Sequence, residues 1–206
     1  MSDLGKIVVL NGAPRSGKSS IAAAMRDAFD EPWINIGVDS FRTITPVRLR
    51  PGIGLRPGGE RPEIEAVVPL LYGMLYEAVA GHSRRGSNVV VDVGHHDAHS
   101  QPLGILPDVA RRLEGLPAWL VGVRCPIGVI MQRRDDGDPD HYERSAPDGT
   151  IPDAVRRWQD EVHRPGIYDL EVDTSELSPA EAAGRIRDHL EHGPPPTAFA
   201  RLAQQP

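Results

Sequence analysis

Eight residues near the start, Gly12-Ala13-Pro14-Arg15-Ser16-Gly17-Lys18-Ser19, constrain this chain more than any other stretch. They match the phosphate-binding pattern G-x-x-x-x-G-K-[ST] in full. The flanks have the required character. Lys6-Ile7-Val8-Val9-Leu10-Asn11 reads as a short buried strand, and Ser20-Ile21-Ala22-Ala23-Ala24-Met25 as the start of a helix. Glycine lets the backbone wrap an anion without a side chain in the way. Loop N–H groups and the helix N-terminus then present partial positive charge to it. Gly12, Ala13, Pro14, Arg15, Ser16, Gly17, Lys18 and Ser19 are therefore the candidate ATP-binding residues. Lys18 is expected to reach the β- and γ-phosphates, and the Ser19 hydroxyl to ligate Mg²⁺. The plain alternative is a glycine-rich turn with a surface lysine.

Beyond this loop, strand and helix patterns alternate without an internal repeat. Strands are expected near 6–11, 33–38, 88–92, 118–124 and 168–173, and helices near 18–29, 62–80, 102–114, 126–134, 152–163 and from 179 to Gly193. Asn88-Val89-Val90-Val91-Asp92 is a continuous β-branched run, as in a parallel sheet covered on both faces. In the 62–80 helix, Val67, Leu70, Leu71, Met74, Leu75 and Ala78 recur at three and four. Ser178-Pro179-Ala180-Glu181 is a capping box with proline at the first helical position. Alternation of this kind implies an α/β three-layer sandwich: a central parallel sheet, helices on both faces and right-handed crossovers. Its ligands bind beyond the carboxyl ends of the strands. One domain over 1–192 is expected, with an arginine-rich irregular or hairpin insert near 41–62, a helical lid near 126–150 and a frayed tail over 193–206.

That rule points to particular side chains. Asp39 is expected to end the second strand, close to the loop if the first two strands are neighbours. A carboxylate there suits a general base for an alcohol, and equally suits a turn cap. Asp92 ends the third strand, the place of an acid that holds Mg²⁺ directly or through water; the alternative is a helix cap. Arg133 and Arg134 end the lid helix and are candidates to close on the triphosphate, or simply favourable charge at a helix C-terminus. The following loop carries Asp135, Asp136, Asp138, Asp140 and Glu143, which repel phosphate unless they point away or pair. His95, His96 and His99 lack the cysteine partners or helical spacing of a zinc site and are read as pocket lining or exposed loop. Arg42, Arg48, Arg50, Arg56 and Arg61 crowd the insert, either to receive an anionic acceptor or as a solvated face.

Composition narrows the classes. A net charge of −6 without a long basic run gives no nucleic-acid surface. The single cysteine, Cys125, closes an apolar run and reads as a core thiol, which suits a reducing compartment. The first strand begins at once, leaving no room for a signal peptide, and no apolar run is read as reaching the ~20 residues of a membrane span. A soluble cytoplasmic protein is the expectation. The oligomeric state stays open, a dimer or larger assembly included.

Taken together, the phosphate loop, Glu31-Pro32-Trp33 through Gly37-Val38-Asp39-Ser40, Val89-Val90-Val91-Asp92-Val93, Val121-Gly122-Val123-Arg124-Cys125 and Val162-His163 through Tyr168-Asp169-Leu170-Glu171-Val172-Asp173-Thr174 resemble the chloramphenicol phosphotransferase family of small P-loop kinases. The resemblance spans roughly 6–190. It implies the P-loop kinase fold with ATP and Mg²⁺ as cofactors. It also implies phosphorylation of a hydroxyl on a small molecule, an antibiotic alcohol in the name-giving enzyme, with Asp39 as general base and a helical lid near 126–150 that supplies arginines; Lys18, from the phosphate loop, is the second candidate catalytic residue. The chain departs from that family at Arg15, at Gly94-His95-His96-Asp97, in the acidic stretch 135–150 and in the arginine-rich insert. Other readings are a kinase of an anionic metabolite and a non-catalytic nucleotide-binding switch.

Overall fold

A computed structural model describes residues 4–50, 52, 55–137 and 143–205. Five parallel strands, β1 (Ile7–Asn11), β2 (Trp33–Asn35), β3 (Asn88–Val93), β4 (Ala118–Arg124) and β5 (Leu170–Asp173), form one sheet in the order β2-β3-β1-β4-β5. The alternation of side chains along each strand builds a core on each face. Ile7, Val9, Val89, Val91 and Leu120 turn to one face, under α4 (Val68–Ser83), α5 (Ile105–Arg112) and α9 (Ala198–Leu202). Val8, Leu10, Val90, Val121 and Val172 turn to the other, under α1 (Lys18–Ala28) and α8 (Pro179–His192). A third cluster, with Ala13, Cys125, Ile130, Met131, Val155 and Trp158, joins the phosphate loop to α6 (Ile127–Asp135) and α7 (Asp153–Glu161). The capping box at Ser178 is formed, and Cys125 is buried and unpaired.

Several expectations need correction. Strand β2 stops at Asn35; Asp39 instead lies in the first turn of α2 (Val38–Ile44). Strand β3 also separates β2 from β1, so the first two strands are not neighbours. The 62–80 helix is two helices, α3 (Pro62–Glu65) and α4, with a break at Ala66-Val67. Leu70 and Met74 are 62% and 51% exposed, because α4 turns the opposite side, with Leu75, Tyr76 and Val79, to the sheet. The segment Pro62–Ser83 does reach the length and hydropathy of a membrane span, yet 56% of it is buried within the fold. The insert holds a 3₁₀ turn, Val47–Leu49, and no hairpin among the described residues. Past α6 no helix forms before Asp153 among the described residues. The tail is not frayed. Asp169 accepts from the N–H groups of Thr197 (2.7 Å) and Ala198 (2.9 Å), fixing the start of α9, whose Phe199 and Leu202 enter the core.

Candidate active site

Strand β1 hands directly into the phosphate loop. Gly17, at φ 97°, is the N-cap of α1. A Cβ on Gly12 would stand 2.5 Å from the Val123 carbonyl, so only glycine lets the loop lie this close to β4. Lys18 is 8% exposed, and its ammonium donates to the carbonyls of Gly12 and Ala13, both at 2.9 Å. Burial lowers its pKa, while the charges of Asp92 and then Asp39 act the other way. Ser16 Oγ is buried in the loop with no hydrogen-bond partner among the described residues. An orphaned hydroxyl in a glycine cradle beside a buried ammonium fits a phosphate group.

Asp92 arrives by register and parity. β3 pairs Asp92 with Leu10, and Asp92 shares the sheet face of Val90, the face covered by α1. Ser19 stands in the first turn of α1 and donates to Asp92 Oδ2 at 2.5 Å, while Lys18 Nζ lies 4.0 Å from Oδ1. Asp39 comes from the adjoining edge. A Cβ on Gly37 would meet the Asp92 carbonyl at 2.9 Å, so glycine lets α2 start against the end of β3. Asp39 is exposed on α2, its side chain takes no hydrogen bond from the described residues, and its field reaches Lys18. The structure thus brings Ser19, Lys18, Asp92 and Asp39 to one end of the sheet.

On the opposite side of the loop lies a cleft of about 380 Å³, walled by Arg15, Lys18, Ser19, Arg133, Thr174 and Leu177 among others. Arg133 donates to Thr174 Oγ1 (3.0 Å), Thr174 O (2.7 Å) and Arg15 O (3.2 Å). Thr174 Oγ1 in turn donates to Ser16 O at 2.7 Å. Arg134 does not line this cleft. It is 7% exposed and donates to the Glu143 carbonyl at 3.0 Å, tying down the segment after α6. Among the described acidic residues of this stretch, Asp135 accepts from Ser145 N and Oγ, both at 2.9 Å, and Glu143 pairs with Arg56. Asp138 and Asp140 lie outside the described residues.

The histidines are neither exposed loop nor an open pocket wall. His95 is 1% exposed, with Nε2 2.7 Å from the Tyr76 hydroxyl, and His96 is 7% exposed, with Nε2 2.8 Å from Leu55 O. Burial pushes their pKa values down to about 3 and about 4, so both are neutral. The insert arginines are largely occupied: Arg50 donates to Thr43 O and Thr45 O (2.8 Å each), Arg56 pairs with Glu60 and Glu143, and Arg61 with Glu63. Sequence reasoning marked Asn11 as a strand-end residue without giving it a role, and passed over Thr174. Asn11 donates to Val162 O (2.7 Å) and the Tyr168 hydroxyl (3.0 Å) and accepts from His95 N (2.7 Å). A lone polar residue ending a fully buried strand was the available signal.

Comparisons with known proteins bear on the family and the fold. Residues 5–191 match the sequence model of the chloramphenicol phosphotransferase-like family. A Mycobacterium tuberculosis protein carrying the provisional name of an O-phosphotransferase is 27% identical over 220 residues, covering 98% of this chain and 89% of that protein. Among solved structures, the Mycobacterium tuberculosis APS kinase CysC in complex with AMPPNP and APS superposes with TM-score 0.59 at 20% identity, over 92% of this chain and 99% of that one. A gluconokinase from Sinorhizobium meliloti gives TM-score 0.52 at 19% identity, over 99% and 96%. The chain belongs to the chloramphenicol phosphotransferase-like family, and is a phosphotransferase with the fold of the P-loop kinases.

Proposed function

We propose that this chain transfers the terminal phosphoryl group of ATP to a hydroxyl of a small, uncharged acceptor, an antibiotic-like alcohol being one candidate class. The observation that carries the reading is the convergence of Ser19, Asp92, Lys18 and Asp39 at one strand end, with Ser19 and Asp92 joined at 2.5 Å and the field of Asp39 reaching Lys18. The loop amides and Lys18 hold the phosphates. Ser19 and Asp92 are the residues to hold Mg²⁺, which when bound would neutralise charge between the β- and γ-phosphates. Asp39, with no hydrogen-bond partner among the described residues, takes the proton of the acceptor hydroxyl as the new O–P bond forms. Lys18 and Arg133 offset the charge that spreads over the moving group.

Two features support a neutral rather than an anionic acceptor. Arg50, Arg56 and Arg61 are committed to protein partners, and the segment following Asp39 exposes apolar Ile44 (73%) and Val47 (76%). The test is ATP consumption against a panel of alcohols, phosphorylated metabolites and no acceptor. Neutral alcohols are expected to raise turnover, and Asp39→Asn to lower it ~100-fold or more with nucleotide binding kept. Full turnover in Asp39→Asn would remove that residue from the mechanism. A preference for phosphorylated acceptors would select the anionic reading, and no response to any acceptor the nucleotide switch.

A further inference from the structure

Arg15 is the one non-glycine residue among those described with φ in the left-handed region, at 70°. Side chains avoid this conformation unless their surroundings impose it. Here the residue sits in the turn closed by Ser16 N and Ala13 O, and its side chain is bound to α6. The Arg15 guanidinium donates to the Arg133 carbonyl through Nε (3.0 Å) and Nη2, and the Arg133 guanidinium donates back to the Arg15 carbonyl at 3.2 Å. Each arginine thus grips the other's backbone. Arg133 also holds Thr174, and Thr174 holds Ser16, so the circuit closes on the phosphate loop next to where it began. Gly137, just past α6, leaves the room this needs. A Cβ there would come 2.8 Å from Arg15 Nη2 and 3.2 Å from the Arg133 carbonyl.

We infer that Arg15 is a positioning residue that sets nucleotide affinity by locking the phosphate loop to the end of the lid helix, so that the loop's shape and the placement of Arg133 in the cleft depend on each other. The inference rests on reading Gly12–Ser19 as the nucleotide site. Arg15 acts through Arg133, so removing Arg133, which also lines the cleft, should cost at least as much affinity as removing Arg15. An arrangement that merely stabilised the fold would lower the melting temperature and leave affinity alone.

The test is calorimetric titration of the full chain with AMPPNP and Mg²⁺, with melting temperature measured alongside. Arg15→Gly keeps the left-handed backbone accessible while deleting the clasp. It should weaken binding about tenfold, and Arg15→Lys, which keeps one donor, should recover part of the loss. Gly137→Ala, which touches neither arginine's own chemistry, should weaken binding in the same direction. In an Arg133→Ala background, which removes the guanidinium but keeps the carbonyl that Arg15 grips, Arg15→Gly should cost less affinity than it does in the unaltered chain, the non-additivity of a shared interaction. Unchanged affinity in Arg15→Gly, or full additivity of the two arginine substitutions, would overturn the inference alone. Absence of AMPPNP binding by the unaltered chain would overturn the phosphotransferase reading with it.

Discussion

Acidification should destabilise this protein, and the cause is a pair of imidazoles. His95 and His96 sit side by side at the exit of β3, 1% and 7% exposed. Burial is the main force lowering His95 to about 3, and the neighbouring His96 adds to it. Burial likewise lowers His96 to about 4, against the opposing bond to Leu55 O and the charges of Asp97 and Glu65. In the unfolded chain both titrate near ~6.5. Between that value and the native ones, the unfolded chain binds protons that the native chain refuses, so stability falls as pH falls. At pH 5 the gap is about 1.5 pH units per residue, or about 2 kcal/mol each at ~1.36 kcal/mol per unit. About 4 kcal/mol for the pair is a large share of the 5–15 kcal/mol typical of a domain. His99 and His163 are lowered too and add in the same direction. Urea unfolding followed by circular dichroism at pH 7.5 and 5.0 measures the difference, with a constant m-value showing that stability alone has moved. The His95→Gln variant, whatever its absolute stability, should lose about half of the pair's pH dependence. Equal midpoints at the two pH values would refute the assignment of both rings as neutral and buried.

Two further outcomes follow from particular contacts. Asp92→Asn weakens the negative partner of Ser19 and Lys18, so the gain in AMPPNP affinity on adding Mg²⁺ should shrink at least ~10-fold; an undiminished Mg²⁺ effect in calorimetry would take Asp92 out of the metal shell. Phe199→Ala opens a void where α9 meets the core and should cost about 3 kcal/mol, read as a lower urea midpoint. A midpoint unchanged both in this variant and on truncation after Gly193 would show that the C-terminal helix contributes nothing to stability.

Strands β1, β3 and β4 were legible because a strand covered on both faces must be apolar throughout, and Ile7–Leu10, Val89–Val91 and Ala118–Val123 leave few other readings. The capping box was legible because it is local. Errors fell where a tertiary contact overrides the local pattern. Ile36 and Val38 look like the continuation of a strand, but the chain leaves the sheet at Ile36 and begins α2, since Gly37 seats it against Asp92. Helix α4 is apolar nearly all round, so its periodicity did not say which side met the sheet. The tail offered only Pro194-Pro195-Pro196 as a signal, whereas its anchor, Asp169, lies 28 residues away from Thr197. The Arg15–Arg133 clasp spans 118 residues and left no trace in either local pattern.

The placement of Asp92 shows how little freedom such a site has. Side chains on a strand alternate, so a slip of one residue in β3 would turn Val91 or Val93 toward Ser19 and send Asp92 into the core that holds Tyr76 and Val79. A buried carboxylate without a partner costs several kcal/mol. The apolar core therefore enforces the register that the proposed site requires, because Val89, Val91 and Val93 are buried together only when Asp92 faces α1. The same parity sets Asn11 opposite Val93 at the end of β1, where its amide binds Val162, Tyr168 and His95. That anchor fixes the first residue of the phosphate loop's approach. Packing and site geometry are thus one constraint at the ends of β1 and β3, and, on the proposed role of Asp92, a substitution that shifts the register there should abolish phosphoryl transfer.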